Sequence, residues 1–261
     1  MNTIDWTLLL PAWLAGLLVL ASHVPLGSRV LTRGVIFADL AVAQMAGLGV
    51  ISAELLGIAD RPWLVQLVAA VSALIGAVLL TGLERWPLAV REASIGLLFV
   101  LAASGGILLL SRDAHAGEHL QDLLNGQILW VSPRQLWLTG GLTALWWLVW
   151  WRWQTRLGHF GFYALFALAV TASVQLVGVY LVFASLIVPA LATLRVSRWR
   201  TALALLIGLA GYGGGLLLSI WQDLPAGAAI IWVMTALAAL MAAVNFSDKT
   251  PANDTRPAQF R

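Results

Sequence analysis

Nine long apolar runs, separated by charged residues or by proline and glycine, dominate the sequence. A helix needs about 20 predominantly apolar residues to cross the hydrocarbon core of a membrane. The continuous stretch from Phe162 to Leu194 exceeds one crossing by about half, so we divide it at Gln175 and Gly178. The pattern predicts an all-α, polytopic membrane helix bundle with about nine transmembrane helices, over residues 6–22, 35–57, 63–82, 93–111, 135–151, 161–177, 178–194, 201–221 and 227–244.

Composition excludes the classes of protein that work in water alone. Of the 261 residues, 61% are apolar and only 10% are charged, whereas a soluble domain is about half apolar and about a quarter charged. A water-soluble enzyme and a disordered chain are both excluded, because neither could keep this much apolar surface away from water. Because the chain has no cysteine, it can form neither a disulfide nor a thiolate metal site.

Basic residues fall mainly in alternate loops between the apolar runs. Of the 15 Lys and Arg residues, 12 belong to one set of loops and the C-terminal tail, and only Arg61, Arg112 and Arg134 belong to the other set. The positive-inside rule makes the richer set cytoplasmic. We therefore predict a multi-pass protein of the cell (inner) membrane, with its N-terminus outside and its C-terminus in the cytoplasm, and no nucleic-acid partner.

The two ends of the sequence differ in character. Met1 to Asp5 carry an acid and no base, so the first run is predicted to remain as a helix and not to be cleaved as a signal peptide. Residues 247–261 are rich in Pro, Asp, Asn and Thr and have no apolar face, which is typical of disorder. We expect one transmembrane domain over residues 1–246 and a disordered cytoplasmic tail over 247–261.

Two acidic residues, Asp39 and Glu54, fall within predicted spans. A carboxylate near the middle of a bilayer costs about 2.5–3.5 kcal/mol. Each acid therefore faces the interior of the bundle or a water-filled path, or it snorkels to the nearby interface, and both alternatives stay open. Gln44, five residues after Asp39, is a further polar group at depth. Asp39 is the better candidate for a pathway residue.

The longest outer loop, residues 111–133, contains His115, His119 and Asp122. On a helix the two histidines would lie four residues apart, so both rings could reach one cation, with Asp122 about one turn further on. One interpretation is an outer site at which a divalent metal enters, and the other is an ordinary solvated loop. No resident cofactor is expected on this chain.

The sequence offers no arrangement of residues for catalysis. A membrane protease needs a serine with a histidine, or paired aspartates, at depth, whereas His23 and His159 lie at predicted cytoplasmic ends. The G-x-x-x-x-G-K-[ST] loop that cradles nucleotide phosphates is also absent from the sequence. We predict that the chain is not an enzyme and that any ATP hydrolysis belongs to a separate protein.

Four segments occur in the order and spacing of a known family: PLGSRVLTRGVIFADLAVAQMAGLGV at 25–50, DLLNGQILWVSPRQL at 122–136, VGVYLVFASLIVPALATLR at 177–195 and DLPAG at 223–227. They resemble the membrane permease of zinc- and manganese-type ATP-binding cassette importers. The resemblance implies a homodimer around a central path, a cytoplasmic ATP-binding cassette ATPase that drives it, and an extracytoplasmic metal-binding protein that delivers zinc or manganese.

The resemblance also implies roles for particular residues. Asp39 and Gln44 would line the translocation path. Pro189 would mark a helix that bends during gating, and Asp223 with Pro225 would shape the outer turn. Docking of the ATPase would fall to four arginines, Arg152, Arg156, Arg195 and Arg198.

Two features depart from the family pattern. Aligned without gaps, Gln44 takes the position of a family histidine and Leu40 that of the family acid, with Asp39 one residue earlier. Carboxylate and amide oxygens suit manganese better than zinc. The loop at 152–161 is basic and shorter than the family stretch that helps to dock the ATPase. These departures favour an alternative function, an ATPase-independent carrier or a diverged, permease-like membrane scaffold.

Overall fold

The computed structural model describes residues 6–110, 124, 126, 128–153, 156, 158–196 and 198–247. Over these residues the chain forms nine α-helices, a 3₁₀ turn at Ile128–Trp130 and no β-strand, which confirms the all-α prediction. In chain order the helices are α1 Trp6–Arg33, α2 Ala38–Leu55, α3 Pro62–Leu83, α4 Leu88–Leu110, α5 Pro133–Trp153, α6 Gly158–Val177, α7 Val179–Ala192, α8 Arg200–Gln222 and α9 Ala226–Ser247.

One helix lies at each of the nine predicted apolar runs. Among the described residues, seven helices are long and apolar enough to cross a membrane, namely α1 to α4, α6, α8 and α9. Helix α7 has only 14 residues, and α5 is rich in tryptophan and carries Arg134 and Arg152. A membrane bundle is therefore supported, while nine complete crossings stay a prediction.

Helix α1 differs most from its prediction, since it runs to Arg33 whereas the predicted span ends at residue 22. Pro25 and Gly27 indicated a break, but the helix continues through both. Gly27 permits this path because a Cβ there would meet the backbone carbonyl of Leu186 on α7. This close packing holds the second half of α1 against the bundle, and the 28-residue helix is about 42 Å long.

Two groups of helices share one apolar core. Helix α1 packs against α5, α6, α7 and α8, and α9 packs against α7 and α8. Helix α2 packs against α3, α4 and α6, and α3 also packs against α6. Because α6 contacts members of both groups, it joins them, and the buried apolar side chains form one continuous cluster through the bundle.

Glycines let α8 approach α9 at the distance of main-chain contact. A Cβ at Gly211 would meet Met234, and a Cβ at Gly215 would meet the main chain of Ile230. Small residues at such positions are a common way for membrane helices to gain packing contacts, because lipid supplies no hydrophobic force between helices. The pairing of α8 with α9 therefore depends on these two positions.

A buried hydroxyl pair joins α8 to α7. Tyr212 is fully buried with its ring against Gly16 of α1, and its hydroxyl lies 2.9 Å from the Ser185 hydroxyl. Ser185 donates its own hydrogen to the carbonyl of Leu181 at 2.7 Å, so Tyr212 is the donor in the pair. Both hydroxyl hydrogens are thus satisfied inside the bundle, as the lipid surroundings require.

The chain turns between α6 and α7 at a single residue, Gly178. Its φ of 83° lies in the left-handed region that glycine adopts readily. Gly126, with a φ of 65°, packs so closely on this turn that a Cβ there would meet the main chain of Val177 and Gly178. The predicted division of the long apolar stretch at Gly178 is confirmed.

The glycine contact between α8 and α9 leads to a test. Gly215→Ala is expected to lower the free energy of unfolding by about 1–3 kcal/mol, because the added methyl group meets backbone that cannot rotate away. The matched control is Gly213→Ala, whose Cβ would lie 3.9 Å from its nearest neighbour, the indole nitrogen of Trp13. Thermal unfolding in detergent measures both variants, and equal melting temperatures would contradict the packing described.

Candidate functional site

A buried carboxylate lies in the first turn of α2. Asp39 is 1% exposed, and neither of its carboxylate oxygens has a hydrogen-bond partner among the described residues. The nearest base in the sequence, Arg33, pairs with Glu84 and not with Asp39. In the single chain the Asp39 side chain therefore does not snorkel to the interface. Two buried oxygens without a partner are an arrangement that a water molecule, a proton or a cation can satisfy.

Gln44 does not share a face of α2 with Asp39. Five residues separate them, which places their side chains about 140° apart around a helix. Gln44 is partly buried and lines a small cavity with residues of α4, α6 and α7. Leu40, which takes the position of the family acid, is likewise partly buried and lies one turn from Gln44 on the same side. The structure thus separates Asp39 from the face that carries Leu40 and Gln44.

A cluster of charged side chains gathers at the end of the bundle where α1, α3 and α5 end. We name it the basal cluster, and it is centred on Glu84 between α3 and α4. The Glu84 carboxylate lies 3.2 Å from Arg33, 3.3 Å from Arg91 and 3.5 Å from His159. It also accepts a hydrogen bond of 2.8 Å from the hydroxyl of Tyr163. One carboxylate therefore connects the ends of α1, α3, α4 and α6.

The surroundings of Glu84 lower its pKa. Burial alone would raise the pKa of this carboxyl, but the Tyr163 hydroxyl, the charge of Arg91 and the His159 ring outweigh burial and hold the pKa below its usual value of 4.5. Glu84 is therefore an anion at neutral pH. Glu84 was not predicted from the sequence, although it is an acidic residue next to the basic Arg85 in the connection between α3 and α4.

The remaining predicted residues lie in three separate places. Pro189 is buried inside α7, and Asp223 ends α8 in the left-handed conformation, with φ of 53°. Pro225 precedes α9, and its carbonyl accepts a hydrogen bond from Ala229 N–H. The four arginines predicted to dock an ATPase are exposed, at the end of α5, after it and in the α7–α8 connection: Arg152, Arg156, Arg195 and Arg198.

The predicted outer metal site lies outside the described residues, because His115, His119 and Asp122 all fall there. Within the part of the chain that the structure describes, no group of three or more histidine, cysteine or acidic side chains is arranged to hold a metal ion. Glu54 is partly buried near the end of α2. Among the described buried acids, Asp39 is thus the one with both carboxylate oxygens unpartnered.

His23, predicted to lie at the cytoplasmic end of the first span, is 0% exposed, and α1 continues past it to Arg33. Its Nδ1 lies 3.0 Å from the carbonyl of Val19 and 3.0 Å from the Ser22 hydroxyl. A carbonyl only accepts, so Nδ1 carries the hydrogen, and Nε2 has no partner among the described residues. The sequence did not reveal this because α1 was expected to end before it.

The fold and motifs together match a known family. The model of the ABC 3 transport family matches residues 5–157 and 152–245, which is most of the chain. The chain belongs to the ABC 3 transport family. The resemblance found in the four sequence motifs is confirmed, and the chain is a multi-pass protein of the cell membrane.

A curated relative is similar to this chain in sequence. Over 172 residues the chain is 30% identical to MntC, the membrane protein of a manganese transport system from Halalkalibacterium halodurans, covering 58% of this chain and 59% of the relative. The match therefore spans less than two thirds of that protein.

The two structures share the fold at low sequence identity. PsaBC from Streptococcus pneumoniae, solved in complex with a Fab, has a TM-score of 0.75 at 20% identity over 91% of both chains. A metal-chelate type ABC transporter in an inward-facing conformation has a TM-score of 0.57 at 15% identity, covering 93% of this chain and 79% of that one.

Removal of one hydroxyl group tests the contribution of the basal cluster to stability. Tyr163→Phe removes the hydrogen bond to the Glu84 anion and is expected to cost about 1.5–3 kcal/mol at neutral pH. Because the folded-state pKa of Glu84 is lowered, the stabilisation is present above pH 4.5 and is lost as the pH falls through the folded-state pKa. The difference in melting temperature between the variant and the unmodified protein should therefore shrink in acid.

Tyr180→Phe serves as the control, because Tyr180 is half exposed on α7. Its melting temperature should match that of the unmodified protein at every pH. A loss of stability in Tyr163→Phe that does not change with pH would show that the hydrogen bond to Glu84 is not its cause.

Proposed function

We propose that this chain is the membrane-spanning permease of an ATP-driven importer for a divalent transition metal, and that two copies form the translocation path. Membership of the ABC 3 transport family supports the transport role, and the relative MntC belongs by its name to a manganese transport system. The oxygen groups of Asp39 and Gln44 favour manganese over zinc, since carboxylate and amide ligands suit the harder cation.

The observation that carries the proposal is the unpaired carboxylate of Asp39. A buried acid in a membrane helix costs about 2.5–3.5 kcal/mol even on the lenient scale, and nothing in the described part of the chain offsets that cost by pairing. A group that destabilises the apo protein and offers two oxygen ligands is well suited to bind a passing cation. Gln44, on another side of α2, would contact the ion at a different step.

The other assignments follow from where the residues lie. Pro189 interrupts the hydrogen bonding of α7 and would let this helix bend, while Asp223 and Pro225 fix the turn between α8 and α9. The ATPase would dock at the exposed bases Arg152, Arg156, Arg195 and Arg198, on the cytoplasmic side. An extracytoplasmic metal-binding protein would deliver the ion to the other side, where the N-terminus is expected.

Asp39→Asn tests the central assignment. Uptake of radiolabelled Mn²⁺ by cells that express the chain with its ATPase and its metal-binding protein should fall to background. The melting temperature should rise, because a neutral amide costs less to bury than an unpaired carboxylate. Asp60→Asn, at an exposed turn, is the matched control and should change neither value. Retained uptake in Asp39→Asn would remove Asp39 from the mechanism.

A second candidate is a carrier or permease-like scaffold that works without an ATPase. The connection between α5 and α6 favours it, because α5 ends at Trp153 and α6 begins at Gly158. Only four residues remain where the family resemblance implies a docking stretch. The basic residues around this connection would then serve membrane orientation alone.

Co-purification separates the two candidates. A tagged chain extracted in mild detergent should carry an ATPase subunit that contains a nucleotide-binding loop, and ATP should accelerate metal uptake in proteoliposomes of the complex. If no ATPase accompanies the chain and uptake continues without ATP, the carrier is correct and the importer is wrong.

A further inference from the structure

A lateral groove opens between α3 and α5, with α1 and α6 as its floor. Its volume is about 230 Å³. Large apolar side chains stand exposed around its mouth, among them Leu142, Leu145 and Leu168. In a multi-pass membrane protein a surface of this kind faces lipid, so hydrocarbon and not water surrounds the mouth of the groove.

Most of the surface that lines the groove is apolar. The polar side chains in the lining are Ser22, Gln66, Thr143, Thr171 and Ser173. The hydroxyls of Ser22 and Thr171 donate to the carbonyls of Val19 and Ala167 in their own helices, at 3.1 Å and 2.8 Å, and such back-bonding leaves these two groups no hydrogen for a guest. A polar solute would lose its hydration on entering and regain few hydrogen bonds, whereas an alkyl chain loses nothing. The lining therefore selects hydrocarbon.

The size of the groove excludes a helix of a second protein or of a second copy. A helix is at least about 10 Å across and rises about 1.5 Å per residue, so about two residues of helix would fill 230 Å³. The same volume holds about eight groups of the size of a water molecule. A single alkyl segment fits this shape.

Positive charge lies at one end of the groove. The lining on α5 consists in part of Leu142, Leu145 and Val149. Arg152 comes three residues after Val149 and therefore lies on the same side of the helix. Trp146, also in the lining, stacks on Trp150 with ring centroids 4.8 Å apart.

A second base approaches the same end of the groove. The guanidinium carbon of Arg29 lies 4.3 Å from the centroid of the Trp150 ring. Two cations therefore flank the end of the groove nearest the basal cluster, where an inner-leaflet headgroup would lie.

We propose that the groove binds one acyl chain of an anionic phospholipid, with its phosphate at Arg152. The acyl chain fills the space between α3 and α5, which do not pack against each other. The lipid thereby bridges two helices from different parts of the chain. This assignment takes Arg152 from the four bases proposed to dock the ATPase. Arg156, Arg195 and Arg198, which lie beyond the helix ends, remain for that contact.

The test measures the melting temperature of the delipidated protein in detergent after addition of phosphatidylglycerol or phosphatidylcholine. Phosphatidylglycerol should bind about five-fold more tightly, the preference expected of one base near a lipid phosphate, and should raise the melting temperature more. Arg152→Gln should remove the preference for phosphatidylglycerol, so that both lipids raise the melting temperature by the same smaller amount. Arg152→Lys should retain the preference.

Substitution of a residue that lines the groove provides a second test. Ala172→Phe places a ring in the groove and should abolish the response to either lipid, whereas Ala239→Phe, at an exposed position of α9, should keep it. An equal response of the unmodified protein to the two lipids would overturn the headgroup assignment. A full response in Ala172→Phe would overturn the groove as the lipid site.

Discussion

The basal end of this protein depends on the carboxylate of Glu84. It lies where α3 ends and is reached by Arg33 from α1, Arg91 from α4 and Tyr163 from α6. The guanidinium of Arg33 also lies 4.1 Å from the ring centroid of Phe162, so it is fixed from two sides. Because Glu84 holds Arg33, this base is not paired with the acid that follows it in the sequence. The cluster that joins four helix ends therefore also engages the base that stands nearest to Asp39 in the sequence.

The apolar runs of the sequence were sufficient to predict the helices and the turn between α6 and α7. Nine apolar runs correspond to nine helices in the described part of the chain. Gly178, which with Gln175 offered the only break in the longest run, lies at the turn between α6 and α7. The length of α1 could not be predicted, since proline and glycine near residue 25 normally end a helix, and only packing of Gly27 on α7 overrides them. The partners of Glu84 were equally hidden, because local spacing holds no information about a contact with Tyr163.

The candidate site shows what helical geometry could and could not anticipate. That Asp39 and Gln44 occupy different sides of α2 follows from their spacing alone. Which side is buried does not, because α2 is apolar nearly all round and packs against several helices. The outcome places the carboxylate inside one chain, while Leu40 and Gln44 remain partly accessible. The carboxylate of Asp39 and the amide of Gln44 therefore lie in distinct environments.

The brevity of α7 has a consequence for the membrane itself. Its 14 residues rise about 21 Å, against about 30 Å of hydrocarbon. In a membrane, non-helical backbone at one end or the other of α7 therefore lies at the depth of the hydrocarbon, where its polar groups must be covered by protein. Gly126 packs on the main chain of the turn at Gly178 and covers one of these ends. A charge that passes beside α7 would meet polar main chain before it reaches the bilayer surface, and the electrostatic barrier to it is correspondingly lower.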